Sequence, residues 1–153
     1  MKVCLGGTFY PLHKGHQQLL RKAFQVAGPQ GFVFIGVTTT AMVKKKGSIA
    51  SFEKRKAVLM QFIQEERVLP KVSIQPLTDK YGPALHDDFD AIVVSPETKK
   101  TAEEINQKRI EHGKQPLQIF VIPFILSDDG KPISSTRIRH KEIDENGRKI
   151  HHD

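Results

Sequence analysis

A single doubly wound α/β domain on a five-stranded parallel sheet is the fold class this sequence predicts. Three observations carry the prediction. Five short apolar runs recur along the chain, helical patterns or long connections separate them, and the first run leads through paired glycines into a helix.

Each element has its own signal. Residues 2–5 read as the first strand, and residues 13–26 carry Leu19, Leu20, Ala23 and Phe24 at helical spacing. Residues 32–37 form a second, fully apolar strand. Residues 51–66 are helical, with Ser51 as N-cap and with Val58, Leu59, Phe62 and Ile63 expected to face inward. Residues 72–76 are the third strand and residues 89–95 the fourth. A helix over residues 98–112 stops at Gly113, and residues 117–123 make the fifth strand. A short helix is expected to begin near Ser134. The charge-rich end, residues 142–153, reads as a short helix and frayed tail, with His151 and His152 solvated. Continuous apolar strands separated by helices imply a parallel sheet covered on both faces by right-handed crossovers, a Rossmann-like arrangement. In such sheets ligands lie beyond the carboxyl ends of the strands, beside the reversal in strand order.

Composition narrows the class. The 153 residues suit one domain over 1–153, with no linker, repeat or low-complexity segment. The single cysteine, Cys4, lies in the first apolar run, which excludes a disulfide scaffold and reads as a small buried hydrophobe. No stretch approaches the roughly 20 apolar residues that span a bilayer. The apolar run before the glycines is too short for a signal peptide, so no membrane partner and a cytoplasmic location are expected. The 24 Lys and Arg exceed 17 acids by 7, which points to a polyanionic partner. Short lysine clusters and only 7% aromatic residues argue against general nucleic-acid binding and for a small phosphorylated ligand. The sequence contains no Cys and His set suited to zinc.

Two segments carry the chemistry. Gly6-Gly7-Thr8-Phe9-Tyr10-Pro11-Leu12-His13-Lys14-Gly15-His16 follows the first strand. Its glycines admit a bulky anion, and the opening turn of the helix presents unpaired N–H groups toward it. His13 and His16, three apart, share a face of that turn. The second segment is Pro132-Ile133-Ser134-Ser135-Thr136-Arg137-Ile138-Arg139, where three hydroxyls open a helix and two arginines follow. Taken alone it also fits an ordinary helix cap. One sheet edge that holds both segments would surround a triphosphate from two sides.

The Gly-Thr-Phe loop with His-x-Gly-His, paired with the late Ile-Ser-Ser-Thr-x-x-Arg, resembles the nucleotidyltransferase superfamily that transfers AMP or CMP onto a phosphate. Residues 79–84 (Asp-Lys-Tyr-Gly-Pro-Ala), 93–98 (Val-Val-Ser-Pro-Glu-Thr), Ile105-Asn106 with Arg109, and 132–144 resemble its archaeal and eukaryotic phosphopantetheine adenylyltransferases. The resemblance covers nearly the whole chain. It implies ATP and 4'-phosphopantetheine as substrates, with dephospho-coenzyme A and pyrophosphate as products.

By the same resemblance, His16 acts on the α-phosphate and His13 on its neighbours. Gly7 is a substrate-binding position, Thr8 and the Phe9 backbone lie between the substrates, and one of Lys44, Lys45 and Lys46, with Lys44 and Lys46 preferred, reaches the transferred phosphoryl group. Ser134, Ser135 and Thr136 hold the ATP phosphates, and Arg137 or Arg139 neutralises pyrophosphate as it leaves. Asp79, Tyr81 and Gly82 resemble the acceptor side, although a turn explains them equally well. Ser95, Glu97 and Thr98 fit either acceptor contact or a helix cap, and Asn106 and Arg109 are further acceptor-side candidates. Most relatives carry an acid after Gly-Thr-Phe where this chain has Tyr10, so magnesium is expected to travel with ATP, held by phosphates and water. Two alternatives stand beside this reading. One is a nucleotidyltransferase using CTP or another phosphate acceptor, such as nicotinamide or flavin mononucleotide, and the other is a noncatalytic nucleotide- or RNA-binding module.

Overall fold

A computed structural model describes residues 1–41, 49–134, 137–138 and 141–150. The strands are β1 (Lys2–Gly7), β2 (Phe32–Thr38), β3 (Lys71–Leu77), β4 (Ala91–Val94) and β5 (Gln118–Val121). The helices are α1 (Lys14–Ala27), α2 (Phe52–Glu66) and α3 (Lys99–Glu111), and a 3-10 turn covers Gly82–Leu85. All pairings are parallel, in the order β3-β2-β1-β4-β5. The predicted five-stranded parallel α/β sheet is therefore present, and its strand order reverses between β1 and β4.

Alternation along β1 sorts side chains to the two faces. Val3 and Leu5 join Val33, Ile35 and Val37 beneath Leu20 and Ala23 of α1 and Leu59 and Phe62 of α2. Cys4 turns the other way, with Ile92 and Val94 against Ala102 and Ile105 of α3. The buried Cys4 thiol donates weakly to the Ala91 carbonyl, and desolvation pushes its pKa up to about 12, so it behaves as the expected apolar filler. The edge strands β3 and β5 are only partly buried. Pro76 stands in β3, where an edge tolerates a missing donor. Among the described residues no helix is long and apolar enough to cross a membrane.

Two expectations are corrected. Val58 is 48% exposed, and the inward stripe of α2 instead runs through Arg55, Leu59 and Phe62. The segment 142–150 is no helix. Ile143 and Lys149 bridge antiparallel around a turn in which Asp144 Oδ1 accepts from the Asn146 and Arg148 N–H groups, with Gly147 at φ 81°. Asn146-Gly147 is a tight-turn pair, and the turn carries the fully buried Ile143 into the interior. Residues 151–153 lie outside the described residues.

Candidate active site

A cleft of about 730 Å³ opens where the strand order reverses. Its wall includes Gly7, Thr8, Phe9, His13 and His16 after β1, Ser95, Glu97 and Thr98 after β4, and Ile133 and Ser134 from the late segment. The two motif segments therefore converge on one crevice, whose volume falls within the ~300–1,000 Å³ common for small-molecule sites.

The histidines form a reciprocal cap at the start of α1. His13 Nδ1 accepts from the His16 N–H at 3.2 Å, and His16 Nδ1 accepts from the His13 N–H at 3.3 Å. Both Nδ1 atoms being acceptors, each neutral ring carries its proton on Nε2. The rings stack with centroids 3.6 Å apart, and Phe9 packs on His16 at 5.1 Å. Burial lowers the pKa of His13 to about 4. Burial, then the charge of His13, lowers that of His16 to about 3. Two neutral N–H donors result. Gly15 is required between them, because a Cβ there would stand 2.9 Å from His13 Cε1 and 3.1 Å from its Nδ1. The Lys14 N–H is taken by the Glu145 carbonyl at 3.0 Å, which ties the C-terminal turn to the same helix end.

The Gly-Thr-Phe loop is fastened from behind. Phe9 holds a left-handed φ of 52°, an uncommon conformation for a bulky residue, with its ring buried in the main core. Thr8 Oγ1 accepts from the Thr38 hydroxyl at 3.0 Å, and the Thr8 carbonyl accepts from Arg55 Nη1 at 3.1 Å. Arg55 and Thr38 escape a motif reading. The only signal is a charged residue at an inward position of α2, four residues before Leu59.

In the late segment, Ser134 Oγ accepts from the Arg137 N–H at 3.2 Å and the Ser134 carbonyl from the Ile138 N–H, so a helical turn begins there as expected. The Arg137 guanidinium is occupied elsewhere than at the cleft. It donates to Ser127 Oγ and the Pro132 carbonyl and pairs with Asp129 and Glu142. These bonds clamp the Asp129-Gly130 turn to the segment after the helical turn, a structural task in place of the expected phosphate contact. Lys44, Lys45, Lys46, Ser135, Thr136 and Arg139 lie outside the described residues.

The expected acceptor residues divide. Tyr81 lines the cleft, its hydroxyl donating to Glu104 at 2.9 Å beside Lys80. Asp79 and Gly82 do not line it. Asp79 Oδ1 accepts from the Tyr81 and Gly82 N–H groups, closing the turn before the 3-10 segment. Gly82, at φ 56°, leaves room for Leu77, whose Cδ2 would lie 2.5 Å from an added Cβ. Thr98 Oγ1 accepts from the Ser95 N–H at 3.1 Å at the head of α3, while both residues and Glu97 reach the cleft. Asn106 and Arg109 serve the scaffold instead. Asn106 exchanges two hydrogen bonds with Leu117, and Arg109, 3% exposed, donates to the carbonyls of Ala84, Asp87 and Gln115.

The described wall holds one carboxylate, Glu97, and one ammonium, Lys80. Among the described residues no three His, Cys, Asp or Glu side chains gather as a metal cage. The donor set thus does not fit a magnesium ion held by the protein alone.

Residues 4–141 match the family model described as cytidylyltransferase-like. A protein of Methanosarcina acetivorans named phosphopantetheine adenylyltransferase is 46% identical over 148 residues, covering 96% of this chain and 94% of that one. Its namesake from Methanopyrus kandleri is 48% identical over 147 residues, covering 94% and 91%. The crystal structure of a protein of unknown function from Archaeoglobus fulgidus superposes with a TM-score of 0.71 at 38% identity, covering 80% of this chain and 89% of that one.

Proposed function

The chain belongs to the cytidylyltransferase-like family, and on that premise we propose that it transfers AMP from ATP to 4'-phosphopantetheine, giving dephospho-coenzyme A and pyrophosphate. The observation that carries the reading is the convergence of the His13–His16 cap and Ser134 on one cleft at the strand-order reversal.

The chemistry asks little of a base. The nucleophile is a phosphate whose second pKa is about 6, so it is largely dianionic near neutral pH. Its oxygen attacks the α-phosphorus in line, the bond to the bridging oxygen breaks, and pyrophosphate leaves with the electron pair. What the site must supply is placement and donors for charge that shifts onto the non-bridging and leaving oxygens.

In this reading His16 Nε2–H donates to the α-phosphate and His13 Nε2–H to the phosphate beside it. Their support is the pair of Nδ1 acceptor bonds, which leaves each ring one donor, and the low pKa values, which keep both rings neutral. Gly7, Thr8 and the Phe9 backbone separate the substrates, with Thr8 bonding both phosphates. Ser134, Ser135 and Thr136 hold the triphosphate, Arg139 meets the leaving pyrophosphate, and one of Lys44, Lys45 and Lys46 meets the transferred group. Tyr81, Ser95, Glu97 and Thr98 form the acceptor side. Magnesium enters as part of the ATP substrate, coordinated by its phosphates and water. A cytoplasmic location belongs to the same reading and agrees with a single cysteine held as a buried thiol.

Pyrophosphate release from ATP, measured with 4'-phosphopantetheine, nicotinamide mononucleotide and flavin mononucleotide in turn, tests the proposal. Rapid turnover is expected with the first alone. Faster turnover with another acceptor, or with CTP in place of ATP, would replace the assignment. RNA retention without pyrophosphate release would favour a binding module.

A further inference from the structure

Arg55 occupies a place where a leucine would be the ordinary choice. It is 1% exposed on the inward stripe of α2, and its Nη2 has no partner among the described residues. A buried charge with an unfilled donor is costly, so its other contacts call for an explanation. Nε donates to the Ala50 carbonyl at 2.9 Å, and Nη1 donates to the Thr8 carbonyl at 3.1 Å and to Thr38 Oγ1 at 3.3 Å. Thr38 in turn donates its hydroxyl proton to Thr8 Oγ1 at 3.0 Å.

We propose that Arg55 and Thr38 are positioning residues that fix the direction of the Thr8 hydroxyl, so that its proton is presented to a substrate phosphate in the cleft. A guanidinium has donors only and stays charged across physiological pH. Its bond to Thr38 Oγ1 makes that oxygen an acceptor on one side, and the Thr38 proton then goes to Thr8. Thr8 Oγ1, already an acceptor, keeps its own proton to donate, at a position on the cleft wall. The acceptor that suits it is an anionic oxygen. Arg55 itself stands behind the loop, on a second hollow shared with Phe9 and Tyr10, and acts only through Thr38 and Thr8. The chain of donors is one-way because its first member cannot accept.

The inference rests on the proposed role of Thr8 at the substrate phosphates. Thr38→Val keeps a β-branched shape at the end of β2 and removes the link, whereas Thr38→Ser keeps the hydroxyl. The expected result is an ATP Kd raised, and a kcat/KM lowered, by on the order of tenfold in Thr38→Val, with Thr38→Ser within about twofold of the wild type. Adding Thr38→Val to Thr8→Val should change neither constant further, because the hydroxyl being aimed is already gone. A merely structural loss would instead multiply through the double variant. Normal constants in Thr38→Val, equal impairment in Thr38→Ser, or additive effects with Thr8→Val would each overturn the inference. Should Thr38→Val fail to fold, Thr38→Ala takes its place in the same cycle. Absence of turnover in the wild type would count against the proposed reaction alone, since the ATP-affinity cycle needs no acceptor.

Discussion

Replacing Gly15 by alanine separates stability from chemistry at the histidine cap. Inside a helix, alanine is favoured over glycine by about 1 kcal/mol, so propensity alone predicts a more stable protein. The new methyl group would stand 2.9 Å from His13 Cε1, and ordinary contact begins at 3.4 Å, so the ring must retreat by about 0.5 Å or more. It has little room to do so. His13 is 7% exposed and stacked at 3.6 Å on His16. Retreat lengthens the 3.2 Å bond that His13 Nδ1 accepts from the His16 N–H, and loss of such a cap costs about 1 kcal/mol. The two effects offset, so the melting temperature should stay within a few degrees of the wild type. Catalysis has no such compensation. Displacing both donors by a fraction of an ångström should lower kcat by on the order of 10- to 100-fold. Differential scanning calorimetry and steady-state pyrophosphate release read the two quantities separately. A Gly15→Ala protein with wild-type kcat and a raised melting temperature would refute the claim that this cap sets the catalytic geometry.

Three further outcomes follow from the same contacts. His16→Ala should lower kcat by at least about 100-fold, as loss of an oxyanion-type donor does, with a melting temperature only a few degrees lower; near-normal turnover in the assay would remove His16 from the reaction. Both histidines have folded pKa values below the unfolded 6.5, so the unfolded chain binds more protons between about pH 3 and 6.5 and stability rises with pH through that window. His13 accounts for about 3 kcal/mol of the total change, so His13→Asn, which keeps a capping acceptor, should make the rise shallower in urea titrations at pH 4.5 and 7, with His16 supplying what remains. Arg109→Met strands three carbonyls and should cost about 3 kcal/mol or more, read as a lower melting temperature with unchanged KM for either substrate.

Much of the fold could be read from the chain because local and global signals agree. Ser51 caps α2 by accepting from the Lys54 N–H, and Leu19, Leu20, Ala23 and Phe24 all bury. The inward face of α2 was not legible, since spacing allows Val58 or Arg55 beside Leu59 and hydropathy favours valine. The carbonyls of Ala50 and Thr8, distant in sequence from one another, decide for arginine. Arg137 illustrates the same limit. Helix-start spacing suggests a phosphate ligand, but the acids that claim it, Asp129 and Glu142, come together only once two turns are folded. Those turns are written as Asp129-Gly130 and Asn146-Gly147, and the second outweighs the helical appearance of the charged segment around it. At the site, the His-x-Gly-His spacing announces a shared helix face. That each ring caps the other residue's N–H, and so fixes its own tautomer, emerges only from the folded geometry.

A crystal structure with dephospho-coenzyme A bound would locate both substrates at once, because one product marks both half-sites. Its bridging phosphates are expected within hydrogen-bonding reach of His16 Nε2 and the Thr8 hydroxyl, with Ser134 on the nucleotide side and the pantetheine arm running past Tyr81. Phosphates seated away from the His13–His16 cap, or a nucleotide bound without contact to the segment around Ser134, would contradict that placement.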